Sequence, residues 1–506
     1  MNILKNILVI SVVIIIISGT LFKDFYPVDE WRYVVITQEL GGSFLKLKYA
    51  GDDYFEKPPF YFWILYGFSK IFGIFCFLSF KLPNILALFV FIFVFKKSLK
   101  KFVNDYLLFL VIFFILPLNF VSIQLVRMDF LMNIFINLSI ILIFNSLKDD
   151  NLKPGNFFLS GLFSSVAVMI KGPAGFFIPL CVIFIILVIE KKFKASFARY
   201  FLLGFFPLIL LWFVAGYIYH GGRYIESYLF KETAGRIIYG EHHRESLFYY
   251  FLLFLPVILP FSFLFALNLK YIYKTNHRIF LYWIIISVVV LSVSKSKLII
   301  YLSSLMLPVS IIVCKILEEK GSDRTICFLY KITIVFFAIL FSTILVFAYY
   351  PQILSSIFPG NTSSYIINYL TTFQAKSVVI VLILIGIFFI TLKANPLIFL
   401  SWWTITIFIL SMYLYYGLNK HYDLSYIVDT IKRDCKGKDV IVYKWKTLYY
   451  LKWRGKNEKI IFSSKIRQGK EVCIITSLKI YQEEKIGLKV HTELSFSRNG
   501  GIVILK

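Results

Sequence analysis

The sequence predicts a polytopic α-helical membrane protein that carries a small polar domain at its C-terminal end. Of the 506 residues, 59% are hydrophobic and only 16% are charged, whereas soluble globular proteins carry roughly 25% charged residues. Apolar runs recur along the first ~415 residues, at lengths near the ~20 residues that cross a bilayer core. These observations exclude a single soluble domain.

Apolar runs separated by short basic segments predict about thirteen transmembrane helices within residues 1–416. The first run follows a basic Lys5 and has no small-x-small cleavage site, so a retained helix is expected rather than a removed signal peptide. The predicted helices are 6–22, 82–95, 106–124, 130–147, 156–170, 173–190, 200–217, 247–269, 279–293, 298–315, 326–350, 377–392 and 396–416.

The basic residues predict the orientation of these helices. The net charge is +26, and the lysines cluster in alternate short connections such as 96–101 and 191–199. This is the pattern of cytoplasmic loops under the positive-inside rule. The N-terminus is therefore predicted to be cytoplasmic and, after an odd number of helices, the C-terminus periplasmic. Because membrane orientation explains the basicity, no nucleic-acid partner is expected.

Two further segments complete the predicted fold. Residues 60–80 are apolar, but a transmembrane helix there would move the basic 96–101 cluster outside, so we expect a helix along the outer interface. Residues 417–506 are more polar and predict a small α/β domain. Its predicted elements are a helix at 424–434 and strands at 439–445, 471–476 and 501–505.

The six cysteines indicate no metal site. Four lie in or beside apolar runs, where cysteine acts as a small hydrophobe: Cys76, Cys181, Cys314 and Cys327. Cys435 and Cys473 lack a close spacing motif, and they are expected to pair only if their domain is exported.

The outer connections 23–59, 218–246 and 351–376 are long, and long connections tend to carry function. The first contains Asp29-Glu-Trp-Arg-Tyr and Tyr54-Phe-Glu-Lys-Pro-Pro-Phe-Tyr-Phe-Trp. An interfacial aromatic belt explains the aromatic run from Phe60 to Trp63. It does not explain the repeated charges at one membrane face, which are the groups that a transferase needs to bind a phosphate and activate a hydroxyl.

In order and spacing, the motifs of nearly the whole chain resemble the aminoarabinose transferases, within the protein-O-mannosyltransferase-like group of C-type integral membrane glycosyltransferases. The Pro58-Pro59 pair is the form common to the broader group, so the resemblance leaves the sugar open. The motifs are Asp29-Glu-x-Arg-Tyr, Tyr54-Phe-Glu-Lys-Pro, Asp129, Lys171-Gly172, His243-Arg244 and Ser294-Lys-x-Lys297-Leu-x-x-Tyr301.

The resemblance implies transfer of a sugar from a polyprenyl (undecaprenyl) phosphate carrier to lipid A, another glycolipid or a protein at the outer membrane face, with inversion at the anomeric carbon. An attacking hydroxyl must lose a proton, which calls for a carboxylate base. Asp29 is the first candidate, and Asp129 is expected to share or support that role. The alternatives are a solvated loop for Asp29 and a helix cap for Asp129.

Negative charge grows on the departing lipid phosphate, so fixed cations and a hydroxyl donor are expected beside it. The resemblance assigns this phosphate-binding group, called the clamp below, to Arg32, Lys57, Arg244, Lys297 and Tyr301. Taken singly, each cation has the alternative role of an interface anchor. The resemblance also implies a divalent metal ion, zinc or a similar one, at Glu56 and His421, and no nucleotide cofactor. The alternative for His421 is a surface histidine.

A transporter or lipid-linked sugar flippase is the principal alternative function. It would be expected to place ionisable residues near the bilayer midplane and to have related halves. Here the acids and bases gather at one face, and no internal repeat is evident. A structural protein without chemistry would leave the ordered outer motifs unexplained.

Overall fold

The fold comes from a computed structural model. It describes residues 2–41, 44–45, 47–235, 244–350, 373–392, 395–435, 438–443, 450–454, 460–463, 472–477, 480, 482, 490–495 and 501–505.

The described part is a helical bundle followed by a small mixed sheet. A π-helical segment spans Glu226–Gly235 and a 3₁₀ helix spans Ile299–Leu305. The α-helices are α1 Asn2–Phe22, α2 Asp29–Glu39, α3 Phe60–Phe72, α4 Leu78–Ser98, α5 Tyr106–Ile115, α6 Pro117–Gln124, α7 Asp129–Lys148, α8 Pro154–Ile170, α9 Ala174–Ile189, α10 Ala195–His220, α11 Gly222–Ile225, α12 Tyr249–Val257, α13 Ser262–Leu267, α14 Leu269–Tyr273, α15 Arg278–Val293, α16 Met306–Lys320, α17 Arg324–Tyr349, α18 Phe373–Thr391, α19 Pro396–His421, α20 Ser425–Asp434 and α21 Leu451–Arg454. The strands are β1 Lys48–Tyr49, β2 Asp52–Asp53, β3 Asp439–Tyr443, β4 Ile460–Ser463, β5 Val472–Ser477, β6 Val490–Ser495 and β7 Gly501–Leu505.

Each of the predicted transmembrane segments contains helix, although some are broken. The run at 106–124 bends by 76° where α5 meets α6, because Pro117 has no backbone N–H with which to continue the helix. The run at 247–269 divides into several short helices. Seven described helices, or eight if the bent pair counts as one span, are long and apolar enough to cross a membrane. A polytopic helical architecture is confirmed, whereas the count of thirteen crossings stays a prediction.

The first outer connection contains structure that the sequence pattern did not predict. Residues 29–39 form helix α2 within the long connection 23–59, and a short hairpin of β1 and β2 follows it. The apolar segment predicted to lie along the outer interface forms α3. Asp29 therefore begins a helix that packs on α3 and the hairpin, and its backbone is held in a regular element.

The C-terminal segment forms a five-stranded mixed sheet in the order β4-β3-β5-β7-β6. Three of these strands and helix α20 coincide with predicted elements, and β4 and β6 were not predicted. A disulfide joins Cys435, which follows α20, to Cys473 in β5. The pairing that the sequence left open is therefore present, and such bonds persist in oxidising compartments. The placement of this domain outside the cytoplasm remains a prediction.

The C-terminal domain contacts the chain immediately around α2. Trp31 stacks on Tyr450 with ring centroids 4.9 Å apart, and Arg454 pairs with Asp24 at 3.0 Å. Asn419, near the end of α19, accepts hydrogen bonds from the Asp24 N–H at 2.9 Å and from the Tyr26 hydroxyl at 2.8 Å. The domain therefore lies directly against the segment that carries Asp29 and Glu30.

Export of this domain is open to a direct test. A reporter enzyme that works only outside the cytoplasm should be active when it is fused to the C-terminus of this chain. In intact cells, Cys435 and Cys473 should react with thiol reagents only after reduction, because the disulfide protects both. A Cys435→Ser, Cys473→Ser double variant controls for the four other thiols. Activity of a cytoplasm-only reporter at the same position would contradict the predicted orientation.

Candidate active site

Two adjacent acids at the start of α2 face different surroundings. Successive helical residues are rotated by about 100°, so Asp29 and Glu30 diverge. Glu30 is 2% exposed and forms an ion pair with Lys23. It also accepts the Tyr26 N–H at 2.8 Å and the Val126 N–H at 2.6 Å. Glu30 thus joins the end of α1 to the segment before α7.

A second lysine completes this buried group. Lys81 of α4 is fully buried and donates to the Lys23 carbonyl at 2.9 Å. Its ammonium also lies 4.8 Å and 4.7 Å from the ring centroids of Phe25 and Phe77. Burial alone would raise the pKa of Glu30, but Lys23 and Lys81 hold that pKa below its ordinary value. Glu30 is a buried structural anion.

Asp29, by contrast, belongs to a chain of ion pairs that reaches the cavity described below. Arg32, one helical turn later, and Arg127 both bind the Asp29 carboxylate, the latter at 2.7 Å. Arg127 also reaches Asp129 at 3.2 Å. Lys171 forms an ion pair with the other oxygen of Asp129. The two acids singled out from the sequence therefore meet through one arginine.

The chain of ion pairs continues from Arg32 to Glu56 at 3.0 Å. Cations and carboxylates alternate along it, in the order Glu56, Arg32, Asp29, Arg127, Asp129, Lys171. We call these six residues the charge network. Alternation matters because an isolated buried charge is costly, and each charge here has a partner of opposite sign.

Exposure and charge distinguish the two aspartates. The side chain of Asp129 is 2% exposed and that of Asp29 is 25% exposed. Burial alone would raise the pKa of Asp29, but Arg127 and Arg32 hold that pKa below its ordinary value. Asp129 is the first residue of α7, one position after the N-cap residue Met128. Both of its carboxylate oxygens bind cations, so its contacts go beyond those of a helix cap.

A cavity of about 380 Å³ adjoins the charge network. Glu56 and Lys171, the two ends of the network, line it together with Lys57 and Tyr301. The Lys171 ammonium lies 4.6 Å from the centroid of the Tyr301 ring. Lys171 is followed by Gly172, whose φ of +128° suits glycine and turns the chain along the cavity wall. The apolar lining includes Phe177, Ile178, Cys181, Val290, Leu291 and Val293.

Two predicted clamp residues, Arg244 and Lys297, lie on two segments that contact each other beside the cavity. Arg244 forms an antiparallel bridge with Ser296, and Ser296 lines the cavity. The Lys297 ammonium donates to the Glu245 carbonyl at 3.3 Å, and Lys297 is absent from the cavity lining. The structure therefore brings Lys57 and Tyr301 to the cavity and Arg244 beside it, but it does not bring Lys297 into the cavity lining. The phosphate role of all four residues stays a prediction.

The predicted metal pair lies only partly within the described residues. Glu56 lines the cavity and binds Arg32 through Oε2. The side chain of His421 lies outside the described residues. Among the residues that are described, no group of three histidines, cysteines or acids lies close enough to hold a metal ion. A metal ion at Glu56 and His421 stays a prediction.

Sequence reasoning missed Arg127 and assigned no role to Lys171, Lys23 or Lys81. Arg127 stands two residues before Asp129 in an apolar stretch, and an isolated charge in such a stretch is a signal for function. Lys23 and Lys81 stand at the ends of apolar runs. Their burial could not be inferred because their common partners lie on other segments.

Comparison with known proteins supports the resemblance. Over 354 residues the chain is 30% identical to the undecaprenyl phosphate-alpha-4-amino-4-deoxy-L-arabinose arabinosyl transferase of Wigglesworthia glossinidia brevipalpis, covering 64% of this chain and 60% of that protein. Over 294 residues it is 28% identical to an uncharacterized protein of Aquifex aeolicus, covering 56% and 57%. The chain thus spans about three fifths of the length of these curated relatives. No family model matches the sequence.

The fold is shared with crystal structures of ArnT from Cupriavidus metallidurans. The structure bound to undecaprenyl phosphate matches with a TM-score of 0.75 at 16% identity, covering 99% of this chain and 97% of that one. The apo structure matches with a TM-score of 0.71 at 15% identity. The resemblance to the aminoarabinose transferases that the motifs indicated is confirmed in sequence and in fold.

The two adjacent acids should separate stability from activity. Glu30→Gln leaves Lys23 and Lys81 without their buried anion, so we expect a loss of roughly 3–5 kcal/mol of stability. Asp29→Asn is the matched control, because it changes the adjacent, preceding residue of the same helix. The partners of Asp29 keep other carboxylates: Arg32 keeps Glu56 and Arg127 keeps Asp129. Thermal unfolding in detergent measures both. Equal unfolding midpoints for the two variants would contradict the assignment of Glu30 as the structural anion.

Proposed function

We propose that this chain is an inverting glycosyltransferase that moves a sugar from a polyprenyl phosphate carrier, such as undecaprenyl phosphate, to an acceptor at the outer face of the cytoplasmic membrane. The observation that carries the proposal is the cavity, whose lining combines the two ends of the charge network with many apolar side chains. This distribution fits a charged phosphate attached to a hydrocarbon tail. The acceptor is lipid A, another glycolipid or a protein.

The donor phosphate is proposed to lie near Lys57 and Tyr301. The charge network holds three carboxylates and three cations, and Lys57 adds a fourth cation beside them. The Lys57 ammonium therefore brings further positive charge to the cavity wall. As the bond from the sugar to the phosphate breaks, negative charge grows on the phosphate oxygens, and a fixed ammonium stabilises it. Arg244 is proposed to approach the same phosphate from beside Ser296.

Asp29 is proposed as the base that accepts the proton of the acceptor hydroxyl. A carboxylate offers about four lone-pair sites, and Arg32 and Arg127 occupy one site on each oxygen. Asp29 is also the more exposed of the two aspartates, so an acceptor can reach its remaining sites. Asp129 supports this arrangement from its buried position. Inversion follows if the acceptor attacks the anomeric carbon opposite the departing phosphate in one displacement.

The proposal includes a location and a metal ion. The N-terminus lies in the cytoplasm and the C-terminal domain in the periplasm, so the acids of α2 face the compartment of the acceptor. A divalent ion such as zinc, held by Glu56 and His421, would supply further positive charge near the phosphate. Zinc accepts both carboxylate oxygen and imidazole nitrogen. Because Arg32 already binds Glu56, such an ion would compete with a guanidinium.

Replacement of the base provides the main test of the proposed reaction. Asp29→Asn keeps the size of the side chain and removes the proton acceptor, so turnover should fall by roughly 10²–10⁴-fold. Donor binding should persist because Lys57 and the apolar lining are unchanged. The assay compares sugar transfer and donor binding with purified protein and polyprenyl-phosphate-linked sugars. Asp129→Asn should cost as much only if both acids act on one proton.

An undiminished rate for Asp29→Asn would move the base elsewhere, first to Asp129. If the wild-type protein transferred no sugar but moved a lipid-linked sugar across vesicle membranes, the flippase alternative would replace the transferase.

Replacement of the lysine that lines the cavity tests the phosphate site. Lys57→Ala should raise the donor KM by roughly tenfold or more, because a hydrogen bond to a charged group contributes about 1.5–3 kcal/mol. Lys70→Ala is the control, since Lys70 is an exposed lysine of α3 whose ammonium lies over the Tyr66 ring. Both variants should be equally stable. A normal donor KM in Lys57→Ala would refute its role at the phosphate.

A further inference from the structure

One guanidinium connects the two acids that the proposed reaction requires. Arg127 uses Nη1 for Asp29 at 2.7 Å and Nε for Asp129 at 3.2 Å. Among the described residues, Arg127 is the only cation within ion-pair distance of both. From this geometry we infer that Arg127 is a positioning residue for sugar transfer, which holds both carboxylates in one arrangement beside the cavity. The inference rests on the proposed function.

The backbone around Arg127 is fixed from three directions. The Val126 N–H donates to Glu30 at 2.6 Å, and the Arg127 N–H donates to the Leu125 carbonyl at 2.8 Å. The side-chain amide of Asn84, from α4, donates to the Ile123 carbonyl at 3.2 Å. Arg127 therefore extends from a constrained turn, and its side chain is only 20% exposed. A loosely held surface arginine would not have these restraints.

The neighbouring cations cannot replace this bridge. Arg32 binds Asp29 and Glu56, whereas Lys171 binds Asp129. Without Arg127, the charge network would divide into one part around Asp29 and another around Asp129. A guanidinium offers N–H groups in a rigid planar fork, and an ammonium is a single point charge. Bridging two carboxylates in this geometry therefore requires arginine at position 127.

The charges around Asp29 predict how its titration depends on Arg127. Arg32 and Tyr33 face it from α2, Lys57 from the segment before α3, Arg127 from the segment before α7, and Asp129 from the start of α7. Loss of Arg127 removes a cation that keeps Asp29 ionised, while burial still favours the neutral acid. The pKa of Asp29 should therefore rise, and the acidic limb of the pH–rate profile should move to higher pH.

The test measures kcat and donor KM as functions of pH for Arg127→Gln and Arg127→Lys. Arg127→Gln should lower kcat at neutral pH by about 10²-fold through misplacement of the acids. It should also shift the acidic limb upward by about 1–3 pH units, with the donor KM unchanged. Arg127→Lys should restore the acidic limb but only part of kcat, because it supplies charge without the fork. Arg454→Gln, which breaks a nearby ion pair to Asp24, should leave the acidic limb in place.

Two results would overturn the inference: an Arg127→Gln variant with normal kcat, or one whose kcat falls equally at every pH without recovery in Arg127→Lys. If the wild-type protein transfers no sugar, the proposed function fails, and the bridge is then judged by thermal unfolding. Double-mutant cycles of Arg127→Gln with Asp29→Asn and with Asp129→Asn should each give a coupling energy. Absence of coupling in either cycle would refute the bridge.

Discussion

The buried carboxylate of Glu30 is the contact on which the site's geometry depends. It forms an ion pair with Lys23 and accepts backbone N–H groups from Tyr26 and Val126, which ties α2 both to the end of α1 and to the segment before α7. A buried charge is stable only when it is fully paired, so moving these segments apart would cost free energy. Because Asp29 precedes Glu30 and Arg127 follows Val126, the hydrogen bond from the Val126 N–H to Glu30 fixes the spacing of the segments that carry Asp29 and Arg127.

The long helices were predictable because apolar runs of bilayer length are visible in a single sequence. Helix α2 was not, since it has only eleven residues and starts with two acids, a pattern that a polar loop also shows. The sequence selected Asp29, Asp129, Arg32 and Glu56, and the structure joins these four in one network. Their order within it could not be predicted, because Arg127 and Lys171 reach them through tertiary packing.

The C-terminal sheet contributes to the same region from outside the helical bundle. Trp31 lies between Glu30 and Arg32 in sequence, and it stacks on Tyr450 and donates its indole N–H to the Phe25 carbonyl at 2.7 Å. These contacts hold the face of α2 opposite the charge network. The C-terminal domain therefore lies directly beside the start of α2. In the proposed reaction, this position would let the domain influence which acceptor reaches Asp29.

The charge network sets two requirements of a base against each other. Arg127 and Arg32 hold the pKa of Asp29 below its ordinary value, which keeps the carboxylate ionised but makes it a weaker proton acceptor. Any carboxylate, including one of ordinary pKa, is too weak a base to remove a hydroxyl proton before attack, and the two arginines make Asp29 weaker still. It can accept that proton only as the bond to the anomeric carbon forms and the hydroxyl becomes acidic. In the proposed reaction, such a site would depend on stabilisation of the leaving phosphate, so the cations around Asp29 and the cation at Lys57 would act on the same displacement.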